Sequence, residues 1–207
     1  VSRLVVASFN RAKAVEVAEI LAAEGLAFAI VPLSGFPGVT LPPETGDTFA
    51  ANALAKARAA ARGTGFPAVA DDSGLEVDAL HGQPGVMSAR YAGETAGDED
   101  RYRKVLALMA NVPDAQRTAR FRCAAAFVDP NGLELLAEGT VEGRIARAPA
   151  GSGGFGYDPI FLPEGRDVTM AQLTPEEKHA ISHRGRAFRA LARLLRERER
   201  QPQIDAD

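Results

Sequence analysis

"FPAVADDSGLEVDAL", residues 66–80, is the stretch on which the architecture turns. An apolar run rises from Pro67 to Ala70 and meets two adjacent acids, Asp71 and Asp72. Ser73 and Gly74 follow, and a second apolar alternation starts at Leu75. The pattern predicts a buried strand that ends on the acids and a second short strand from Leu75. Adjacent side chains of a strand point to opposite faces, so Asp71 and Asp72 do not line one surface together if the strand runs to its end. One then supports the loop while the other faces a cleft. Two meanings stand level on these residues alone. Carboxylates just past a strand end, with Gly74 turning the backbone, are a way to hold Mg²⁺. Asp and Ser capping an Asx-turn between two strands is the other.

Outward from this stretch, strands and helices mix. Residues 3–8 predict a strand and 11–25 a helix, with Val15, Ala18, Leu21 and Ala22 on one face and Gly25 as its stop. A second strand covers 26–31. Residues 32–46 hold four prolines and three glycines and predict a long loop. Thr48 or Asp47 caps a helix over 49–62, which "GTG" ends. Asp98, Glu99 and Asp100 open a further helix, where the dipole favours acids. "TARFRCAAAFVDPNGLELLAEGTVEGRI" predicts a β-hairpin turning at Asn131-Gly132, with Asp129-Pro130 lengthening the loop. "PAGSGGFGYDPIF" is a glycine-rich loop running into a strand. Thr174, Pro175 and Glu177 form an N-terminal capping pattern, and the helix they start breaks near Ser182 and resumes as an amphipathic one. The fold class expected is α/β with a mixed sheet, residues 1–198 forming a single domain and 199–207 a frayed tail.

Composition narrows the function. A net charge of −3 exerts no general pull toward nucleic acid or anionic membranes. Cys123 is the only cysteine, so no intrachain disulfide forms, and in "FRCAAAF" it reads as a small core residue. Three histidines and one cysteine argue against a zinc site. No run approaches the length of a membrane span or a signal peptide, so the expectation is a cytoplasmic protein.

Four further constellations accompany the acids. "ASFNRAK" (7–13) follows a strand and opens a helix, where backbone N–H groups can dock a phosphate and Asn10 and Lys13 add donors. It has no glycine and no Lys-Ser/Thr ending, so it is not a P-loop. In "PPETGDTFAANALAKA" (42–57) Glu44 lies in the long loop, while Asn52 and Lys56, four apart, share a helix face. In "AGSGGFGYDP" (150–159) four glycines surround Phe155 and Tyr157, aromatics suited to stacking on a planar base. "EEKHAISHRG" (176–185) clusters Lys178, His183 and Arg184, donors for carbonyl or phosphate. Each alone also fits a bland reading: an ordinary turn, a helix surface, a loop pinned to the core by Phe155, a solvated basic stretch. Together they make a phosphate-handling set, with carboxylates for a cation, lysines for phosphates and an aromatic for a base.

In this order "ASFNRAK", "ETGDTFAANALAKA", "AVADDSGLEVDAL", "PGVMSARYAG", "PAGSGGFGYDPIF" and "LTPEEKHAISHRGRAF" closely resemble the inosine/xanthosine triphosphate pyrophosphatase family, from residue 4 to about 195. The resemblance implies an elongated α/β fold with two lobes around a central mixed sheet flanked by helices, and a homodimer. It implies hydrolysis of ITP, dITP and XTP to the monophosphate and pyrophosphate with Mg²⁺, with no nucleic-acid or membrane partner. Carried over by motif, Ser8, Phe9, Asn10, Arg11, Ala12 and Lys13 line the triphosphate site, and Lys56 offsets its charge. Asp72 activates water, Glu44 and Asp72 lie near the metal, and Ser73 touches the substrate. Phe155, Gly156, Tyr157, Asp158, Lys178, His183 and Arg184 hold the nucleotide.

Two residues depart from the family pattern. Ala51 stands where many bacterial relatives carry Glu, and Phe9 replaces a smaller residue of the first loop. Substrate choice is expected from the purine edge. A 6-oxo acceptor meets His183 or Arg184, whereas the adenine 6-amino group finds no partner. Two rivals are a nucleotide-binding module without turnover and a Maf-type pyrophosphatase. Asp72 beside Glu44 argues against the first, "SHRG" and "GGFGYDPIF" against the second.

Overall fold

The structure, a computed structural model, describes residues 2–26 and 28–200. Its strands are β1 (Ser2–Val6), β2 (Phe28–Pro32), β3 (Ala68–Val77), β4 (Thr118–Val128), β5 (Glu134–Ile145) and β6 (Phe161–Pro163). Its helices are α1 (Arg11–Ala23), α2 (Phe49–Thr64), α3 (Asp98–Leu108), α4 (Pro175–Ile181) and α5 (His183–Arg200). The strands form one mixed sheet in the order β2-β1-β3-β4-β5-β6. β1 runs parallel to β2, with Leu4 opposite Ile30, and parallel to β3, with Val6 opposite Val69. β6 is antiparallel to β5, with Arg144 opposite Leu162. Among the described residues no helix is long and apolar enough to cross a membrane.

Two compact units emerge. The first takes the described residues of 1–72, 123–139 and 184–207, the second 73–122 and 140–183. Each has its own core. In the first, Leu4 and Val6 of β1, Val69 of β3 and Phe127 of β4 pack with Val17 and Leu21 of α1 and Phe188 and Leu191 of α5. In the second, Leu75 and Val77 of β3, Phe121, Val141 and Ile145 pack with Val105 and Met109, and with Ile160, Phe161 and Met170.

Most local cues act as the sequence predicts. Asn10 caps α1 by accepting the Lys13 N–H, and Gly25 follows that helix at φ +72°. Thr48 caps α2, accepting the Ala51 N–H at 3.1 Å. Thr174 and Glu177 form a reciprocal capping box, Pro175 takes the first turn, and Ser182, at ψ 148°, separates α4 from α5. In the hairpin loop Asp129 accepts the N–H groups of Asn131 and Leu133, and Gly132 stands at φ +97°.

Four expectations need correction. The predicted break after Asp72 is absent: β3 runs unbroken from Ala68 through Asp71, Asp72, Ser73 and Gly74 to Val77. The Asx-turn alternative therefore falls, because both carboxylates find buried partners that let the strand continue. α2 runs two residues beyond the expected 62, to Thr64, and the last residue of "GTG", Gly65, ends it at φ +72°. Gly63 serves packing instead, since a Cβ there would lie 2.9 Å from Val39 Cγ1. On α1 the inward face is Glu16, Val17, Ile20 and Leu21, while Val15 is 49% exposed. At the chain end α5 continues to Arg200, so the first part of the expected frayed tail is helical, and 201–207 lie outside the described residues.

Candidate active site

In the first unit two carboxylates leave adjacent positions of β3 toward different partners, as the alternation of a strand requires. Both residues are 5% exposed. Asp72 meets α2. Asn52 donates from Nδ2 to Asp72 Oδ2 at 2.8 Å, and Lys56 Nζ lies 3.9 Å from Asp72 Oδ1. Lys56 also donates to Glu44 Oε1 at 2.5 Å. The i, i+4 spacing of Asn52 and Lys56 thus puts an amide and an ammonium on one buried helix face, in place of the solvated helix surface the sequence also allowed. The long loop delivers Glu44 and is held at its end by the Gly46 N–H, which donates to Asn52 Oδ1 at 2.8 Å. Ala51, next to Asn52, is exposed.

The charges of this group are coupled. Burial raises the pKa of Asp72; Lys56 pulls it back down while Glu44 adds to the rise, and the net result is above the ordinary value. Burial works against the Lys56 ammonium, but Asp71, Asp72 and Glu44 outweigh it and raise its pKa. Lys56 is therefore a cation among three carboxylates. Among the described residues no three His, Cys, Asp or Glu side chains form a closed metal cluster.

Asp71 faces a different set. Its Oδ2 accepts from Arg184 Nε at 3.1 Å and lies 3.5 Å from Lys13 Nζ. Arg184, 1% exposed, also donates from Nη1 to Glu16 Oε2 at 2.7 Å. Burial alone would raise the Asp71 pKa; Lys13, Arg184 and Lys56 override it and hold the carboxyl well below the usual range. Cys123 lies 3.9 Å from the same oxygen, and burial pushes its thiol far up, as befits an inert core residue.

The start of α1 lies in this unit too. Ser8 Oγ accepts the Asn10 N–H at 3.1 Å, and Asn10 Oδ1 accepts the Lys13 N–H at 3.2 Å, so the Asn10 side-chain oxygen serves the helix cap. Lys13 is partly exposed, and Phe9 is 65% exposed. Arg11 and Ala12 belong to the first turn of α1, but their side chains lie outside the described residues.

The second unit contains the glycine-rich loop. Gly151, Gly154 and Gly156 have positive φ. A Cβ on Gly154 would collide with the Asp158 carboxylate, so only glycine lets the loop close there. Asp158 Oδ2 accepts the Phe155 N–H at 2.8 Å and Lys178 Nζ at 2.6 Å. That ammonium lies 4.6 Å from the Phe155 ring centre, a cation–π distance. Phe155 and Gly156 are half-buried, as is Ser73, which lies on the second unit's part of β3.

The nucleotide-holding residues named from the sequence therefore divide. Phe155 and Lys178 meet. Tyr157 does not offer its ring as Phe155 does: it is 4% exposed, sits in the second unit's core and donates its hydroxyl to the Ser88 carbonyl at 2.8 Å. Asp158 is 3% exposed and organises the loop. His183 is stacked on Phe121 at 4.8 Å and 15°. At the helix break at Ser182 both His183 and Arg184 are buried, His183 stacked on an aromatic ring and Arg184 paired with two carboxylates.

Glu16 and Asp98 were not foreseen as site residues. Nothing local in the sequence separates Glu16 from the exposed Glu19 three residues on; only burial marks it. Asp98, read as a helix-dipole acid, accepts the Gly156 N–H.

The chain is similar to known proteins along nearly its whole length. The Ham1 family model covers residues 4–194. The chain is 52% identical over 196 residues to a dITP/XTP pyrophosphatase of Streptomyces coelicolor, covering 95% of this chain and 98% of that protein. It is 53% identical over 195 residues to a dITP/XTP pyrophosphatase of Nocardia farcinica, covering 94% and 95%. Among solved structures, a HAM1 protein from Coxiella burnetii is similar with a TM-score of 0.86 and 45% identity, over 95% of this chain and all of that one.

Proposed function

The chain belongs to the Ham1 family, and from that premise we propose that it is a nucleoside-triphosphate pyrophosphatase acting on dITP, ITP and XTP. It releases pyrophosphate and the nucleoside monophosphate, and so removes non-standard purines from the nucleotide pool. The observation that carries this reading is Asp72, a carboxylate buried on a central strand, oriented by Asn52 and set beside Lys56 and Glu44.

The chemistry follows from these groups. Asp72 accepts a proton from a water whose oxygen attacks the α-phosphorus. The bond from that phosphorus to the bridging oxygen breaks, and pyrophosphate leaves with the electron pair. Burial suits Asp72 to the task, because a carboxylate of raised proton affinity is a better base at neutral pH; such a base contributes roughly 10²–10⁴-fold. Lys13 and Lys56 oppose the charge of the triphosphate. Phe155 stacks on the purine.

A divalent cation fits the donors present. Glu44 and Asp72, either side of Lys56, would supply hard oxygen ligands to Mg²⁺. The chemistry such an ion would supply there is neutralisation of charge on the triphosphate. Arg184 we assign to holding Asp71, and through it Lys13, rather than to reading the base. We further propose a cytoplasmic homodimer that engages neither nucleic acid nor membrane.

The test is pyrophosphate release from ITP, XTP, GTP and ATP with and without Mg²⁺. The expected result is turnover of ITP and XTP that needs Mg²⁺. Binding of ITP with no pyrophosphate released would leave a binding module in its place.

A further inference from the structure

We propose that Asp98 is a positioning residue for nucleotide binding, fixing the glycine-rich loop so that Phe155 is set before the substrate arrives. The inference rests on the reading of that loop as the purine site.

The three acids that open α3 look equivalent in sequence, but the structure separates them. Glu99 pairs with Arg103 at the surface, and Asp100 accepts the Gly97 N–H at 3.0 Å as a helix cap. Asp98 reaches outside its helix. Its Oδ2 accepts the Gly156 N–H at 2.6 Å, from 58 positions away in the chain. Its Oδ1 accepts from Arg101 Nη1 at 2.7 Å, and Arg101 Nη2 donates to the Ala96 carbonyl at 2.5 Å, so the carboxylate is itself oriented.

Phe155 thus stands between two backbone anchors. Its own N–H goes to Asp158, and the next N–H, of Gly156, goes to Asp98. The two carboxylates come from different elements. Hydrogen bonds to ionised acceptors are about twice as strong as neutral ones. Gly156 stands at φ +64°, and with glycines on both sides of Phe155 the free loop would have many conformations. Two anchors remove that freedom in advance, which lowers the ordering cost of ligand binding. An acid serving only the helix dipole would need neither the reach to Gly156 nor the brace from Arg101.

The experiment compares Asp98→Ala with Asp98→Asn. The amide keeps a carbonyl acceptor for the Gly156 N–H but puts an NH₂ where Oδ1 accepted from Arg101, and loses the charge that favours the helix start. With ITP as substrate, Asp98→Ala is expected to raise KM roughly tenfold with kcat within about twofold, and Asp98→Asn to restore KM to within roughly threefold of wild type. A purely structural role would lower the Tm of both variants and leave KM unmoved in both, and that result overturns the proposal. Amide hydrogen exchange of the unliganded wild type supplies a check that needs no variant to fold. The Gly156 amide is expected to be protected, and exchange at the rate of an open loop amide would equally overturn it. Absence of pyrophosphate release by the wild type would remove the pyrophosphatase reading alone, since exchange at Gly156 and the relative Kd of the two variants for ITP would still judge Asp98.

Discussion

Asn52 donates its amide Nδ2–H to Asp72 Oδ2 across 2.8 Å, and only one orientation of the amide allows it. The Asn52 carbonyl oxygen accepts the Gly46 N–H; a flipped amide would set N–H against N–H on one side and oxygen against carboxylate on the other. A Cβ on Gly46 would lie 2.7 Å from Asn52 Oδ1, so the loop comes this close only because residue 46 is glycine. One amide thereby ties the loop that carries Glu44 to Asp72, the proposed base.

Replacing Asn52 by Leu keeps the approximate volume and removes the donor. We expect kcat for ITP to fall roughly tenfold, the worth of a hydrogen bond to a charged group, with KM changed far less. Gly46→Ala should act in the same direction more weakly, by pushing the Asn52 amide aside. Steady-state kinetics on both variants check this, and an unaltered kcat in Asn52→Leu would show that Asp72 needs no such support.

Asp72→Asn should separate activity from stability. The loss of the base is expected to lower kcat by roughly 10²-fold or more. Stability should not fall with it. Burial, assisted by Glu44 and opposed by Lys56, leaves the Asp72 pKa above its unfolded value. A carboxyl raised in this way contributes stability that is present below about pH 3.9 and is lost as pH rises through the folded pKa. At pH 7 the wild type therefore carries a cost that Asn does not. The Tm of Asp72→Asn should equal or exceed that of wild type at pH 7, with the gap closing below about pH 4. A lower Tm at pH 7 would mean that the attraction of Lys56 outweighs burial.

Asp71→Asn should behave in the opposite sense. Lys13, Arg184 and Lys56 overcome burial and hold the Asp71 pKa far below its unfolded value. Its stabilising contribution is full above about pH 3.9 and fades as pH falls through the folded pKa. Urea unfolding is expected to show a loss of about 3–5 kcal/mol at pH 7, as for a broken buried ion pair. The difference between variant and wild type should shrink below about pH 4. A difference that persists unchanged at low pH would attribute the effect to packing.

Arg184→Ala should lower Tm and weaken ITP and ATP turnover alike. Its guanidinium is occupied by Glu16 and Asp71, so the ratio of kcat/KM for ITP to that for ATP is expected to hold within about twofold. A residue reading the 6-oxo group would instead drop that ratio by roughly ten- to a hundredfold, since a charge-assisted hydrogen bond would be lost with ITP only. Measuring both substrates on the variant decides between the two roles.

Phe155→Ala should raise KM for ITP by the loss of a stacking contact worth roughly 1–3 kcal/mol, with kcat little changed. The half-buried ring lies under the Lys178 ammonium and outside the second unit's main apolar cluster. An unchanged KM with a lowered Tm would make Phe155 a loop anchor after all.

The residues that announced themselves in sequence are those whose cause is local. Thr48 and Thr174 cap helices because the N–H they accept is three residues away. Gly25 and Gly132 sit where the backbone needs positive φ, and Lys56 shares a face with Asn52 by helical spacing alone. The ordered motifs were enough to indicate the family, and through it the proposed roles of Asp72 and Glu44. Tertiary structure decided the rest. The sequence pattern ends a strand at residues 71–72, whereas the structure carries it through both acids; a buried charge is costly unless it has a partner. The partners of Asp71 and Asp72 come from α5, 113 residues on, and from α2, 20 residues back. The face of α1 is set in the same way: Glu16 turns inward, and Val15 outward, to meet Arg184 at a separation of 168 residues. Periodicity records which residues repel water, but whether a charge can be buried depends on a counter-charge that only the folded chain brings within reach.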